Sequence, residues 1–449
     1  MLKAGIISLG CSKNLVDSEL MIGILRDHKI NIINEPNKAD ILIVNTCGFI
    51  DSAKEESITT ILQMAEYKKS GKCKALIVTG CLAERYKDIL LEELPEVSVF
   101  LGVGSYHKII EAINEALLNK RFCIFDNNNQ AYNEQINRVR TTPDYSAYVK
   151  IADGCDNWCS YCAIPSIRGP FRSRKIESIV KEVKKLVKEN VKEINLIAQD
   201  TTSYGKDIYG KPNLVSLLKE LTQIKGDFFI RLLYCYPKHF SDELIDLIAN
   251  EPKICKYIDL PLQHIDDKIL KKMNRSDRQK DIELLLEKIH SKIPNVVIRT
   301  SLIVGFPGET EKNFKNLKEF ISKQKFEHVG IFTYSQEENT PAAKLNSQID
   351  AEIKEERYHE LMSIQSKISQ EINEELAEKK VLLDVIIEAI DISSDDTTKK
   401  IVSGRSYREA PDIDGCIYIE NWKNDIKIGD TIKVKIIQGF SYDLLGEQL

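Results

Sequence analysis

The chain has 449 residues, with 63 Lys plus Arg, 68 Asp plus Glu, a formal net charge of −5 and 43% hydrophobic residues. At roughly 100–200 residues per domain this length predicts about three globular domains, and the slight acidity gives no general attraction for polyanions. No apolar run reaches the ~18 residues of a membrane span and the first residues lack a secretory pattern, so the expected setting is the cytoplasm, with no membrane partner.

In that reducing setting the 11 cysteines argue for metal ligation or catalysis, not for a disulfide framework. Residues 1–132 alternate apolar runs with helical patterns. The runs lie at 3–9 (KAGIISL), 40–45 (DILIVN), 74–79 (KALIVT) and 97–103 (VSVFLGV). They predict an open, doubly wound parallel sheet. Three runs end alike, in ISLGC, IVNTC and IVTGC, which puts Cys11, Cys47 and Cys81 in one structural slot. Ligands gather outside the carboxyl ends of such strands, and the N-termini of the following helices, the first expected near Asp17, favour thiolate. Any one of the three reads equally well as a small buried residue; all three in the same slot point to a shared site. Cys73, Cys123, Cys235, Cys255 and Cys416 follow no pattern and read as packing.

The polar stretch 133–146 contains a proline and reads as a linker. A central domain over 141–372 follows, with six strand candidates beginning at 147, 193, 228, 257, 296 and 328. Helical patterns separate them, which predicts a partial (β/α)6, TIM-like barrel working at the carboxyl ends of its strands. Directly after its first strand, GCDNWCSYC places Cys155, Cys159 and Cys162 four and three residues apart. That spacing wraps thiolates around a compact soft-metal centre. Structural zinc asks for a fourth ligand, and neither a Cys nor a His lies nearby; an iron-sulfur cluster tolerates three and leaves one iron open. Trp158 and Tyr161 either shield such a centre or simply pack.

Other residues fall at the expected barrel mouth. Gln199 and Asp200 follow the second strand and suit the polar groups of a cofactor, although Asp200 equally suits a helix cap. Gln263 and His264 end the fourth strand, and Arg299 lies in the fifth. GFPGET at 305–310 combines a turn with a helix start. Arg168, Arg172 and Arg174 follow the cysteine loop and suit either anionic ligands or internal ion pairs.

Residues 350–380 read as a solvated helix, and β-branched runs punctuated by Gly and Asp predict a small antiparallel β-barrel over 375–449. From Glu374 to Leu449 there are 10 Lys plus Arg against 16 Asp plus Glu, a net of −6. A domain gripping tRNA phosphates should be basic, whereas an acidic one suits a basic protein partner or serves solubility.

CxxxCxxC after the first strand of a partial barrel resembles the radical S-adenosylmethionine enzymes. The three-domain order, ending in a TRAM-like barrel, resembles the methylthiotransferases among them over essentially the whole chain. That resemblance implies a 4Fe-4S cluster on Cys155, Cys159 and Cys162 whose open iron binds S-adenosylmethionine, with Gln199, Asp200, Gln263 and Arg299 as candidate contacts to that cofactor. It implies a second 4Fe-4S cluster on Cys11, Cys47 and Cys81 that carries the sulfur to be inserted, a further S-adenosylmethionine as methyl donor, and an electron donor such as flavodoxin or ferredoxin. The stretches GCSKNLVDSE, NTCGFIDSAKEES, PLQHIDDKILKKMNR and RTSLIVGFPGET resemble the branch that methylthiolates the β-carbon of an aspartate in small-subunit ribosomal protein twelve. The tRNA-adenosine branch reads CQMN where this chain reads CSKN, so tRNA is not the expected substrate. Two other readings stay open: tRNA adenosine methylthiolation and a non-catalytic zinc-binding scaffold.

Overall fold

Strands form where β-branched and aliphatic residues run together without a polar break. The computed structural model describes residues 1–126, 136–392, 400–423 and 425–449. The expected domain end at 132 and the start of the 133–146 linker lie outside the described residues.

The first sheet contains β1 (Lys3–Ser8), β2 (Asn31–Ile32), β3 (Ile41–Thr46), β4 (Ala75–Gly80), β5 (Val99–Leu101) and β6 (Phe122–Ile124). All are parallel, in the order β2-β1-β3-β4-β5-β6. β3 and β4 are buried at every position because helices cover both faces. α1 (Ser12–Asp27) and the helix Ile109–Leu117 pack on one side through Met21, Leu25, Ile109 and Ile113. α2 (Asp51–Ser70) and α3 (Cys81–Glu93) cover the other through Ile61, Ala65, Leu82 and Leu90. The strand order reverses between β1 and β3, and the crevice at such a reversal is where open α/β sheets bind ligands. One expectation is corrected: α1 starts at Ser12, not near Asp17, so Cys11 is its N-cap residue. Gly10, at φ +82°, turns the chain straight from β1 into the helix. β2 and β6, two and three residues long, are too short to show a period in sequence.

The second sheet is built from β7 (Ser146–Lys150), then, after the antiparallel pair β8 (Ala152–Asp153) and β9 (Arg172–Ser173), from β10 (Glu193–Ile197), β11 (Phe229–Leu232), β12 (Ile254–Asp259), β13 (Val297–Val304) and β14 (His328–Thr333). Its order β14-β13-β12-β11-β10-β7 is parallel throughout, the six-stranded open barrel expected from the pattern. Along β13, Arg299, Ser301 and Ile303 alternate with fully buried Ile298, Thr300, Leu302 and Val304, so one face packs against helices and the other lines the hollow.

The helix Ala351–Glu378 leads to β15 (Leu382–Ile392), β16 (Lys400–Arg405), β17 (Ile417–Glu420), β18 (Thr431–Gly439) and β19 (Leu444–Gln448). These close into a barrel in the order β15-β16-β17-β19-β18, antiparallel except for the parallel pair β17 and β19. The segment after β16 enters the amino-terminal end of the open barrel. There Arg405 and Arg231 share the buried Glu193 at 2.9 and 3.1 Å, Tyr148 donates to Asp412 at 3.0 Å, and Tyr257 donates to Asp414 at 2.6 Å. Ala410 joins Tyr148, Tyr257 and Val297 in an apolar cluster that also takes in Val16 and Leu20 of α1. All three sheets therefore meet around one hollow. No helix among the described residues is long and apolar enough to cross a membrane.

Candidate functional site

Cys11, Cys47 and Cys81 emerge at the carboxyl ends of β1, β3 and β4, Cys11 as the N-cap of α1 and Cys81 as the first residue of α3. The backbones close in tightly: a Cβ placed on Gly10 would lie 2.7 Å from the Cβ of Cys47. Asn14, fully buried, holds the slot together by donating to the carbonyls of Leu9 (3.1 Å) and Thr46 (2.8 Å). Its side-chain oxygen accepts from Arg168 at 2.5 Å and from the Cys81 thiol at 3.6 Å. Ser57 brackets Cys47, donating to its carbonyl (2.9 Å) and accepting from its N–H (3.1 Å).

The charges here are not symmetrical. Burial opposes ionisation of Cys11, yet Lys13, Arg168 and the backbone N–H groups of Asn14 and Lys13 outweigh it and hold the thiol below its ordinary value. Cys81 is pushed up to about 12 by burial, against the pull of Arg168, whose guanidinium lies 3.8 Å from its sulfur. Burial likewise raises Cys47.

The second trio occupies the loop between β8 and the short helix Ile164–Arg168. At Gly154, φ +79°, a Cβ would lie 2.0 Å from the carbonyl oxygen of Pro170, so the loop closes only with glycine there. Cys155 N–H donates to Gly169 O at 3.2 Å and Cys162 N–H to Cys159 O at 3.0 Å. Ser160 ties the loop across the mouth, donating to Met273 O and accepting from Ala342 N–H, each at 2.9 Å. Burial raises the thiols of Cys155, to about 12, and Cys162.

The two trios adjoin. Cys81 and Val103 share a buried apolar cluster with Ala163 and Ile167, and Ala163 directly follows Cys162. Arg168, 1% exposed, bridges the same seam, reaching Asn14 and Asp17 of α1 (2.5 and 3.2 Å) and Asp153 of the barrel (3.0 Å). Lys150 pairs with the same two aspartates. At the far edge, past β14, Glu337 accepts from Arg85 of α3 at 2.6 Å and Lys54 of α2 at 3.1 Å. The first domain is thus tied down on both sides of the barrel mouth.

Among the described residues no three His, Cys, Asp or Glu side chains converge on one point that a single metal ion could take. A four-iron cluster asks for something different, because each thiolate goes to its own iron. The donor chemistry fits that demand: all 11 cysteines are free of disulfides, and each trio sits in a narrow, partly or fully buried cradle.

The other expected site residues meet different fates. Gln199 donates to Asp153 at 3.0 Å, beside the second trio, and its buried Oε1 has no hydrogen-bond partner among the described residues, leaving an acceptor at the mouth. Asp200 has no free oxygen: it accepts from Thr202 and Ser203 (each 2.7 Å), caps the turn after β10, and holds Asn157 of the cysteine loop at 2.8 Å. Gln263 sits half-buried at φ +72° beside β13. Arg299 is engaged by Asp259 at 3.2 Å and by Asp414 of the inserted C-terminal segment at 3.4 Å. His264 is fully buried and accepts the Asp266 N–H at 2.9 Å, a structural use. Arg172 and Arg174 are spent on nearby carbonyls and Glu182. Glu309 of GFPGET accepts from Gly305 N–H and Arg357, and Thr310 caps the next helix. Trp158 is 63% exposed, so it shields little. Asn14, Asp17, Asp153 and Glu337 escaped the sequence reading; the only signal was that Asn14 and Asp17 follow Cys11 at helical spacing.

Three family models match: the uncharacterized protein family UPF0004 over residues 3–102, the Radical SAM superfamily over 149–321 and the TRAM domain over 382–449. Among solved structures, the radical S-adenosylmethionine methyltransferase TsrM from Kitasatospora setae is similar at TM-score 0.59 and 12% identity, covering 83% of this chain and 90% of that one. The cobalamin-dependent S-adenosylmethionine radical enzyme OxsB aligns at TM-score 0.51 and 11% identity, covering 82% and 56%. These likenesses concern the fold alone. Sequence relatives are much nearer. The ribosomal protein uS12 methylthiotransferase RimO of Desulforamulus reducens is 52% identical over 99% of this chain and 98% of its own. RimO of Clostridium botulinum is 49% identical, and RimO of Geotalea uraniireducens 47%, each over the same shares. With the paired thiol trios, the open barrel and this full-length identity, the chain belongs to the RimO family of radical S-adenosylmethionine methylthiotransferases.

Proposed function

We propose that this protein methylthiolates the β-carbon of an aspartate in ribosomal protein uS12, with one 4Fe-4S cluster on Cys155, Cys159 and Cys162 and a second on Cys11, Cys47 and Cys81. The observation that carries the reading is the seam of Cys81, Ala163, Ile167 and Arg168, which sets the two trios against each other at one barrel mouth. When bound, the clusters and S-adenosylmethionine supply radical hydrogen removal from an unactivated carbon, the sulfur and the methyl group.

The chain's own residues do the rest. Arg168 and Asn14 hold the first trio at a fixed place relative to the second, and the Arg168 charge favours anionic thiolate there. Asp200 fixes the cysteine loop through Asn157, a positioning role, while the free Oε1 of Gln199 offers an acceptor to the ammonium or ribose of S-adenosylmethionine. Gln263 and Arg299 stand further along the same hollow as additional candidate contacts. Glu337 ties the first domain to the barrel at the far edge of the mouth. The acidic C-terminal domain, net −6 from Glu374 to Leu449, favours encounter with a basic ribosomal protein. The working divisions are 1–132, 141–372 and 375–449, and a flavodoxin or ferredoxin delivers the electron.

Anaerobic purification tests the cluster assignment: about eight irons per chain are expected from two four-iron clusters, and about four would remove the second. Mass spectrometry of uS12 and of tRNA nucleosides from a deletion strain tests the substrate. Loss of the methylthio group from tRNA with uS12 unchanged would overturn it.

A further inference from the structure

Lys13 lies in the first turn of α1, two residues past Cys11, and is 7% exposed. The other cations that bridge the first domain and the barrel have carboxylate partners: Lys150 and Arg168 have Asp17 and Asp153, and Arg85 and Lys54 have Glu337. Lys13 has none. Its ammonium sits 3.1 Å from the centroid of the Tyr234 ring, and no hydrogen bond or ion pair to it exists among the described residues. A buried ammonium is costly unless paired, and a ring face compensates only part of that cost.

The place is informative. Tyr234 follows β11, its N–H donating to Asp259 at 2.8 Å, and it packs against the apolar cluster that joins α1 to the open barrel. Ser12 lies 3.5 Å from its hydroxyl. The ammonium therefore comes from the domain of the first trio, is close enough to Cys11 to stabilise its thiolate, and comes to rest at the carboxyl ends of the barrel strands.

We propose that Lys13, seated on Tyr234, binds the side-chain carboxylate of the aspartate that is modified. This rests on the substrate reading above. The carboxylate is bonded to the β-carbon, so fixing it would also fix the position of the reacting carbon. A buried ammonium without a carboxylate partner favours an acidic side chain over a neutral nucleobase, which brings it no negative charge, and this makes the residue a determinant of substrate class.

The rival use of Lys13 is to balance charge on the Cys11 site alone, and a double-mutant cycle separates the two. Wild-type protein, Lys13→Met and Lys13→Arg, loaded with iron, are titrated with uS12 carrying either the native aspartate or asparagine at the target, without S-adenosylmethionine so that binding alone is read. Wild type should bind the aspartate form about tenfold or more tighter than the asparagine form, the usual loss for a charge-assisted contact. K13M should erase that preference with iron content unchanged, and K13R should keep most of it. Equal binding of both forms by wild type overturns the proposal without any enzyme variant. Equal weakening of both by K13M, or loss of iron in place of affinity, assigns Lys13 to the thiolates instead. Wild type that binds neither form while binding tRNA defeats the substrate reading itself.

Discussion

The two cysteine trios are assembled by opposite routes. Cys155, Cys159 and Cys162 come from one loop, closed by its own backbone hydrogen bonds and by glycine at 154. Cys11, Cys47 and Cys81 come from three strand ends spread over the first domain, and only the parallel register of β1, β3 and β4 brings them together. Their electrostatics differ too. Cys11 of the first trio faces Lys13 and Arg168, while the Cys155 thiol is raised by burial and then by the charges of Asp200, Cys159 and Asp156. A local motif can be strung on a loop because its ligand orders it; a dispersed one needs a rigid sheet and buried cations to hold three thiolates close before any ligand arrives.

The sharpest way to break this comparison is to remove one thiol from each trio. Cys159→Ala should abolish S-adenosylmethionine cleavage, whereas Cys47→Ala should spare cleavage and stop methylthio insertion. Product analysis and iron counting would read both, and each variant should lose about four irons. Equal loss of cleavage in the two would end the division of labour.

Arg168→Met comes next. It leaves Asp17, Asp153 and Asn14 buried without their cation, which should cost ~3–5 kcal/mol in denaturant unfolding of the metal-free protein. Arg168→Lys should recover part of this, since a point charge cannot reproduce the fork that reaches both domains. A smaller effect is expected at the far edge: Glu337→Gln leaves Arg85 and Lys54 short of their anion and should cost ~1–3 kcal/mol, with faster amide exchange in α2 and α3.

The gentlest test is chemical. In the metal-free protein the Cys11 thiol ionises below its ordinary value and that of Cys155 only at about 12. Thiolate is the reactive form, so as pH rises alkylation should reach Cys11 first and leave Cys155 largely unmodified at neutral pH. Mass mapping of labelled peptides gives the order directly. Stability at the opposite end of the barrel carries its own pH signature. Glu193 is buried, and Arg405 and Arg231 hold it down at about 2. A depressed carboxylate stabilises the fold above its unfolded value, so that contribution should persist to about pH 5 and fade toward pH 2, and Glu193→Gln should flatten the slope.

Much of the site was legible because thiols are rare and their positions periodic. CxxxCxxC declares itself by spacing, and Cys11, Cys47 and Cys81 could be grouped because each closes an apolar run of the same kind. The parallel sheet and the six-membered barrel followed from those runs, since strands buried on both faces must be apolar at every position. The short strands β2 and β6 left no pattern to read. Asp200 and Arg299 stood out from their place at a strand end or within a strand, but nothing in a linear chain says that Asn157 will also engage Asp200 and Asp414 will also engage Arg299.

The sequence by itself therefore determined the two cysteine groupings, the strand count of the barrel and, through the resemblance of its motifs, the family, because motif spacing is a local property. Only the tertiary structure decided that Arg168 spans both trios, that Glu337 ties down the far side, that the segment from Arg405 to Asp414 plugs the barrel, and that Lys13 rests on Tyr234 with no carboxylate partner among the described residues. Each of these joins residues from two domains far apart in the chain. Which charge finds a partner there is set by how the three sheets pack around one hollow, and no sequence period encodes that.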